Sequence, residues 1–508
     1  MRGGPLAAQD VSLGGACAPR LETLPQDGWQ IMVLHRPALT RRTFLSSTAA
    51  LAVGAGLAMP ALRVAQAASV REFRLKAAPA TAALAPGRQS DTGVWAYDGT
   101  VPGPEIRVRQ GERLRIVVEN GLGEETTVHW HGVRTPNAMD GVPHLTQRPI
   151  GPGETFIYEF DAVDAGTFWY HPHQRSFEQV GRGLYGPLII EETGPVRVDR
   201  ELTWVLDDWR LTESGAISDD FASAFDRMHN GRVGNTVTIN GRVPGEISVR
   251  QGERIRLRLI NAANARIFGL DFGDLAPVVI ALDGQPVSPH APRDRIVVLG
   301  PAMRVDLILD LTGAPGSRLS VRDRFYRGFE YRLVELAYGG EVLRERAPDW
   351  PVALPTNPIA EPELANAMRH EVTFNGGMMG GMGNMMNMMR GDSVWFVNGK
   401  AATGEMGDHV MEPLLTLRRG RTHVIAMTNA TAWHHPIHLH GHSFRVLARN
   451  GAPTAYREWQ DTVLMAPRET VEIAFVADNA GDWMFHCHIL EHQAAGMMAV
   501  LRVPETET

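Results

Sequence analysis

Cysteine is almost absent from this chain. Two occur in 508 residues, Cys17 and Cys487. Positive charge is not in excess, because the formal net charge is −7, and that argues against nucleic acid as a partner. No apolar run is long enough to cross a bilayer. The one candidate, Ala49 to Leu62, is short and is interrupted by Gly54, Gly56 and Pro60. Long helical patterns are few, whereas 52 glycines and 33 prolines favour short strands and turns. What remains is an all-β globular chain with 44% hydrophobic residues, too long for one core and sized for about two to four domains.

The first 67 residues read as a leader rather than as part of the fold. Arg41-Arg42-Thr43-Phe44-Leu45 precedes the apolar run, and Ala65-Gln66-Ala67 follows it. A basic segment, a short apolar core and a small-residue cleavage site make an export signal, and the arginine pair makes it a twin-arginine signal. The expected location is the periplasm, reached in the folded state through the twin-arginine machinery and with no stable membrane anchor. The arm before the signal is long, so Met32 is a candidate start. Cleavage near Ala67 leaves a single cysteine. No intramolecular disulfide can then form, and Cys487 is free to bind metal.

That cysteine sits in His486-Cys487-His488-Ile489-Leu490-Glu491-His492, with Met497 close behind. Two histidines, a thiolate and a weak axial thioether are the donor set of a blue-copper site. Three further motifs repeat a pair of histidines two apart: His129-Trp130-His131, His171-Pro172-His173 and His438-Leu439-His440, the last preceded by His435. On a strand, residues i and i+2 face the same side about 7 Å apart. Each pair can therefore present two imidazoles to one place, and four pairs offer too many for one ion. Two or three metals in a cluster are required. Parity separates a second site. If His486 and His488 face the cluster, Cys487 faces away, and His435 does so relative to His438 and His440. His435, Cys487, His492 and Met497 then form a single-metal site joined through the backbone to two cluster ligands. Structural zinc, closed and four-coordinate, has no use for so many imidazoles.

The chain also repeats itself. Val101 to Asn120 matches Val243 to Asn261, and a fainter copy runs from Glu412 to Asn429. Each reads as strand, glycine turn, strand, after a lead-in of Tyr97-Asp98-Gly99, Ile239-Asn240-Gly241 or Val397-Asn398-Gly399. A closing repeat ends in Ala165 to His173 in the first module and Ala480 to His488 in the third. The middle counterpart, Pro301 to Asp310, has no histidines after it, which makes that module a spacer or a binding wall. Repeats of this length are whole β-sandwich domains in series. The expected boundaries are 68–193, 194–346 and 370–508, with a proline-rich linker at 347–369. One low-complexity insert, 376–390, carries Met378, Met379, Met382, Met385, Met386, Met388 and Met389. Thioether is a soft ligand, so this run is a candidate Cu(I) site, and a lid without metal is the alternative.

With these motifs the chain resembles the three-domain bacterial multicopper oxidases, laccase-like and related to cuprous oxidases. The resemblance implies three tandem cupredoxin-like Greek-key sandwiches and about four coppers per chain. It implies one-electron oxidation of phenols, aromatic amines or Cu(I) at a type 1 copper, with dioxygen reduced to water at a trinuclear cluster. Carried over by motif, His435, Cys487, His492 and Met497 hold the type 1 copper and His129 and His438 the type 2. His131, His171 and His488 hold one type 3 copper, and His173, His440 and His486 the other. Cys487, His486 and His488 carry electrons between the sites, and Asp140 tunes water and proton traffic at the cluster. Two departures stand out. Gln493 follows the last type 1 histidine where bacterial relatives often have glutamate, and Gln cannot shuttle a proton by ionising. The run Ala430-Thr431-Ala432-Trp433-His434 lacks the acid and methionine of the cuprous oxidases. Trp433 is expected to be packed, with a role for it and His434 in shaping the substrate surface as the alternative, and His144, His229 and His290 are expected on loops or surfaces without function. The alternative reading is a periplasmic copper-tolerance or copper-storage protein that uses the methionine run.

Overall fold

A computed structural model of the chain describes residues 70–85, 91–378, 394–402 and 412–506. The twin-arginine leader and the methionines from Met379 to Met389 lie outside these residues.

The lead-ins seen in sequence are tight turns. Asp98-Gly99, Asn240-Gly241 and Asn398-Gly399 all have both φ angles positive, between 49° and 73°. Such a pair matches the twist of the strands it joins. The two strands after each turn do not pair with each other as a hairpin. In the first module the strand Ile106–Arg109 pairs with Gly186–Glu191, while Arg113–Asn120 pairs with Thr155–Asp161 and, in parallel, with Val70–Ala82. The glycine turn at Gly111 therefore carries the chain from one sheet to the other. The same switch occurs between Glu246–Gln251 and Arg254–Asn261, and between Leu415–Thr416 and Thr422–Asn429. Among the described residues six sheets result, two per module: four and four strands, six and five, seven and five. Three sandwiches of the cupredoxin type succeed one another along the chain.

Alternation decides the cores. Leu114, Ile116 and Val118 point inward from Arg113–Asn120, with half-exposed residues between them. The equivalent middle strand Arg254–Asn261 is buried on both faces. Its outer face bears Arg256 and Arg258, which meet carboxylates of Asp306 and Glu192. Glu192 belongs to the first boundary segment, so that segment anchors one module to the next. A fourth apolar cluster forms where all three meet: Trp169 and Tyr185 of the first module pack with Trp209 and Ile260 of the second and Leu490 of the third. Main chains of the first two modules also approach each other closely. A Cβ on Gly166 would collide with the backbone of Gly284, so only glycine fits there.

The proline-rich stretch runs extended and tied. Asn357 exchanges two hydrogen bonds of 2.8 Å with the Ala165 backbone and donates to Gln285 Oε1 at 2.7 Å. The first and second modules are thus pinned by the chain that leads to the third. No helix among the described residues is long and apolar enough to cross a membrane.

Candidate metal centres

Strand pairing brings the histidine motifs together. His129–His131 pairs antiparallel with Gly166–His171, setting His129 opposite His171. In the third module His435–Leu439 pairs with Gly481–Cys487, with His438 opposite His486 and Ile437 opposite Cys487. The first and third modules then face each other. His173, His440 and His486 place nitrogens within 4.8 Å of one another, and so do His129, His438 and His440, and His129, His131 and His171. His129 stacks on His440 with ring centroids 3.9 Å apart, and His131 on His438 at 3.8 Å.

Hydrogen bonds decide which nitrogens are left for a ligand. His171 Nδ1–H donates to Pro172 O at 3.0 Å, and His486 Nδ1–H to Cys487 O at 2.9 Å. His440 Nδ1–H donates to Asp140 Oδ2 at 2.8 Å, and His129 Nδ1–H to the Asp140 carbonyl at 2.7 Å. His438 Nδ1–H donates to Asp461 O at 2.8 Å. The bare Nε2 atoms of His440 and His486 then converge at 3.1 Å, and lone pairs that close repel unless a cation lies between them. His171 Nε2 lies 3.4 Å from His488 Nε2. His129 Nε2, His438 Nε2, His131 Nδ1 and His488 Nδ1 are buried without a partner, as are both nitrogens of His173. A buried polar atom with no partner calls for an explanation, and a bound ion is one. Burial first, and then the neighbouring imidazoles, hold His131, His171, His173, His440, His486 and His488 well below the usual histidine range. They are neutral and available as donors, the state that a metal requires.

A second group lies on the other side of the strand. Cys487 Sγ is 3.5 Å from His435 Nδ1 and 3.8 Å from His492 Nδ1, and the two nitrogens are 3.2 Å apart. The outer nitrogens are already engaged: His435 Nε2 with Thr431 Oγ1 at 2.8 Å, His492 Nε2 with the His229 carbonyl at 2.7 Å. Burial pushes the Cys487 thiol up and the His492 imidazole down, to about 3. A bound cation reverses the first effect, since a coordinated thiol is deprotonated. Met497 is fully buried, and its carbonyl accepts from the Cys487 amide at 3.0 Å.

Three models of the multicopper oxidase family match the chain at residues 80–194, 200–318 and 373–507. The chain belongs to the multicopper oxidases. It is 30% identical over 446 residues to the multicopper oxidase MmcO of Mycobacterium tuberculosis, covering 79% of this chain and 81% of that one. Among solved structures it is similar to multicopper oxidases of Pseudomonas thermotolerans (36% identity, TM-score 0.77, 86% and 100% covered) and Pseudomonas parafulva (38%, 0.75, 85% and 100%). As a multicopper oxidase the chain is an oxidoreductase that uses oxygen, and copper is its cofactor. The donor set fits that metal: imidazoles for the cluster, imidazole with thiolate for the single site.

Several residues around the multicopper oxidase sites could not be picked out from the sequence. The middle module holds none of the clustered histidines, yet it touches both sites. Its short helix Ala224–Met228 leads into His229, expected to lack function, whose carbonyl caps His492. The Arg227 carbonyl accepts from Trp395 Nε1 at 2.6 Å, and that indole packs 4.3 Å from the His492 ring. Behind the cluster stand Asp461 and Thr462, both hydrogen-bonded to His131 Nε2. A carboxylate 23 residues beyond His438 carries no local signal. His144 is an exposed turn residue, His290 stacks on Tyr456, and Trp433 is half-buried against the third core. His434 rests edge-on against Phe325. Met378 is 57% exposed, and its amide meets the Met228 carbonyl at 3.4 Å.

Proposed function

We propose that this multicopper oxidase holds its type 1 copper on His435, Cys487, His492 and Met497. In the same reading His129 and His438 hold type 2 copper, His131, His171 and His488 one type 3 copper, and His173, His440 and His486 the other. Copper there supplies one-electron acceptance at the thiolate and reduction of dioxygen at the cluster. The reducing substrate is a phenol, an aromatic amine or Cu(I), and four one-electron oxidations with four protons convert one dioxygen to two waters.

The observation that carries this reading is the position of Cys487. Its side chain lies between His435 and His492, while its flanking imidazoles converge with His440 and His171. The backbone link from the thiol to His486 is doubled by the hydrogen bond from His486 Nδ1 to the Cys487 carbonyl. A storage protein needs no such wiring. Asp140 orients His129 through its carbonyl and His440 through its carboxylate, which supports a place for it in proton and water traffic. Periplasmic export by the twin-arginine route completes the proposal and rests on Arg41, Arg42 and the apolar run.

Steady-state oxygen uptake with a phenol beside Cu(I), together with copper per chain, tests the reading. About four coppers with turnover supports an oxidase, and copper binding without oxygen uptake refutes it. Deleting 379–390 separates the two roles of the methionine run. Selective loss of Cu(I) turnover supports a Cu(I) site, and equal loss on both substrates supports a lid.

A further inference from the structure

Behind the cluster the middle module buries an arginine that binds no metal. Arg304 opens the strand Arg304–Asp310 and has no exposed surface. A guanidinium has five N–H donors in a fixed fork, and here every one is matched. Nε donates to Thr167 O at 3.2 Å. Nη1 donates to Ala302 O at 3.2 Å and to Asp461 Oδ1 at 2.8 Å. Nη2 donates to Asp283 O at 3.0 Å and to Asp461 Oδ2 at 2.5 Å. Three modules contribute acceptors to one side chain. The chain is left bare where the pair passes: a Cβ on Gly132, next to His131, would run into both the guanidinium and the carboxylate.

Asp461 is also gripped from its backbone. Its amide and that of Thr462 donate to Asp283 Oδ2 at 3.2 and 3.1 Å. So held, Asp461 Oδ1 lies 3.2 Å from His131 Nε2, with Thr462 Oγ1 at 3.1 Å from the same nitrogen. The result is a choice of ring nitrogen. His129, His171, His438, His440 and His486 are tied to oxygen through Nδ1 and leave Nε2 free. His131 is tied through Nε2 and leaves Nδ1. Asp461 sits near enough to His131 and His438 to join a metal site itself, but the fork occupies both of its oxygens.

We propose that Arg304 is a positioning residue for the copper cluster: by clamping Asp461 it holds His131 as the Nε2–H form, turns Nδ1 toward the metal, and keeps the carboxylate from becoming a ligand. The proposal rests on the assignment of His131 as a cluster ligand. Partners that orient a ligand typically change metal affinity about 10–100-fold when removed.

The test uses the full chain with Arg304→Met and Arg304→Lys, reloaded with copper. The readouts are copper per chain, the blue absorption, the type 2 electron paramagnetic resonance spectrum and the unfolding midpoint of the copper-free protein. Arg304→Met is expected to keep the blue band and lose cluster copper affinity by about 10–100-fold. Arg304→Lys is expected to regain part of that affinity, with a type 2 spectrum still altered through His438, whose Nδ1 donates to the Asp461 carbonyl, because one ammonium cannot match the fork. Unchanged cluster copper and type 2 spectrum in both variants would overturn the proposal. So would loss of every copper in step with the unfolding midpoint. If the methionine variant does not fold, the lysine variant decides by the same two readouts. Nitrogen-15 spectra of histidine-labelled copper-free protein separate the clamp from the ligand assignment. Nε2–H at His131 in the parent and a mixture in Arg304→Lys supports the clamp whatever the copper content. Nδ1–H in the parent refutes it.

Discussion

Replacing Thr431 by valine keeps the shape of a fully buried side chain and removes one hydroxyl. That hydroxyl serves three neighbours. It donates to Asn429 Oδ1 at 2.8 Å, accepts from the Trp433 amide at 3.1 Å, and accepts from His435 Nε2–H at 2.8 Å. Valine leaves two donors without acceptors, whereas Asn429 Oδ1 keeps the Thr431 amide at 3.0 Å. A buried donor left unmatched costs about 1–3 kcal/mol. The Trp433 amide is only partly buried, so the sum is about 2–4 kcal/mol rather than the upper bound. The expected outcome is a loss of that size in denaturant unfolding of the copper-free protein. Type 1 copper affinity falls by about tenfold or more, since His435 is no longer held with Nδ1 toward Cys487. Thr431→Ser restores both. A loss below about 0.5 kcal/mol with unchanged copper affinity would show that the hydroxyl neither satisfies nor orients His435.

Other outcomes are expected elsewhere. Cys487→Ser abolishes the blue band and leaves about three coppers per chain, checked by metal analysis and absorption. Loss of all copper would contradict two separable sites. Gln493→Glu is expected to raise turnover by restoring an ionisable group beside His492, and equal or lower oxygen uptake would count against a proton-delivery deficit. Glu201 gives the pH dependence a definite sign. Burial opposes its charge, but Arg258, Arg256 and Arg107 hold its carboxyl down to about 2. Its contribution is therefore complete above the ordinary glutamate range near pH ~4.3 and is lost as pH falls through about 2. Glu201→Gln should lower stability at neutral pH by on the order of 2–3 kcal/mol and flatten the acid limb in that window. An unchanged acid-unfolding profile refutes this assignment.

The sandwich repeats were legible because alternation and turn chemistry are local. Asp98-Gly99 and its two counterparts name the same turn wherever they occur. The histidine pairs were legible from the motif, but strand parity describes only His129–His131 fully, because the other strands end at His171, Leu439 and Cys487 and leave the second histidine of each pair just beyond them. The sheet switch at Gly111 was not legible, since alternation reads alike whichever sheet a strand joins. The arginines of Arg254–Asn261 sit where a solvent face would be, and only the carboxylates of other segments make their burial tolerable. Arg304 and Asp461 lie 157 residues apart, and nothing near either announces the other. The His229 contact is made by a carbonyl, which every residue possesses, so no side-chain identity could have flagged it.

The contact between Gly166 and Gly284 bears on how such proteins can be re-engineered. A clash between two side chains can be relieved from either partner by trimming one of them. Here the obstacle to any larger residue at 166 is the main chain of the neighbouring module, which no substitution can trim. A first module transplanted from another protein must arrive with glycine at that place or fail to seat. These modules are then poor candidates for free recombination, although each has its own core. The junction between the first two works as a lock whose key is the absence of a side chain.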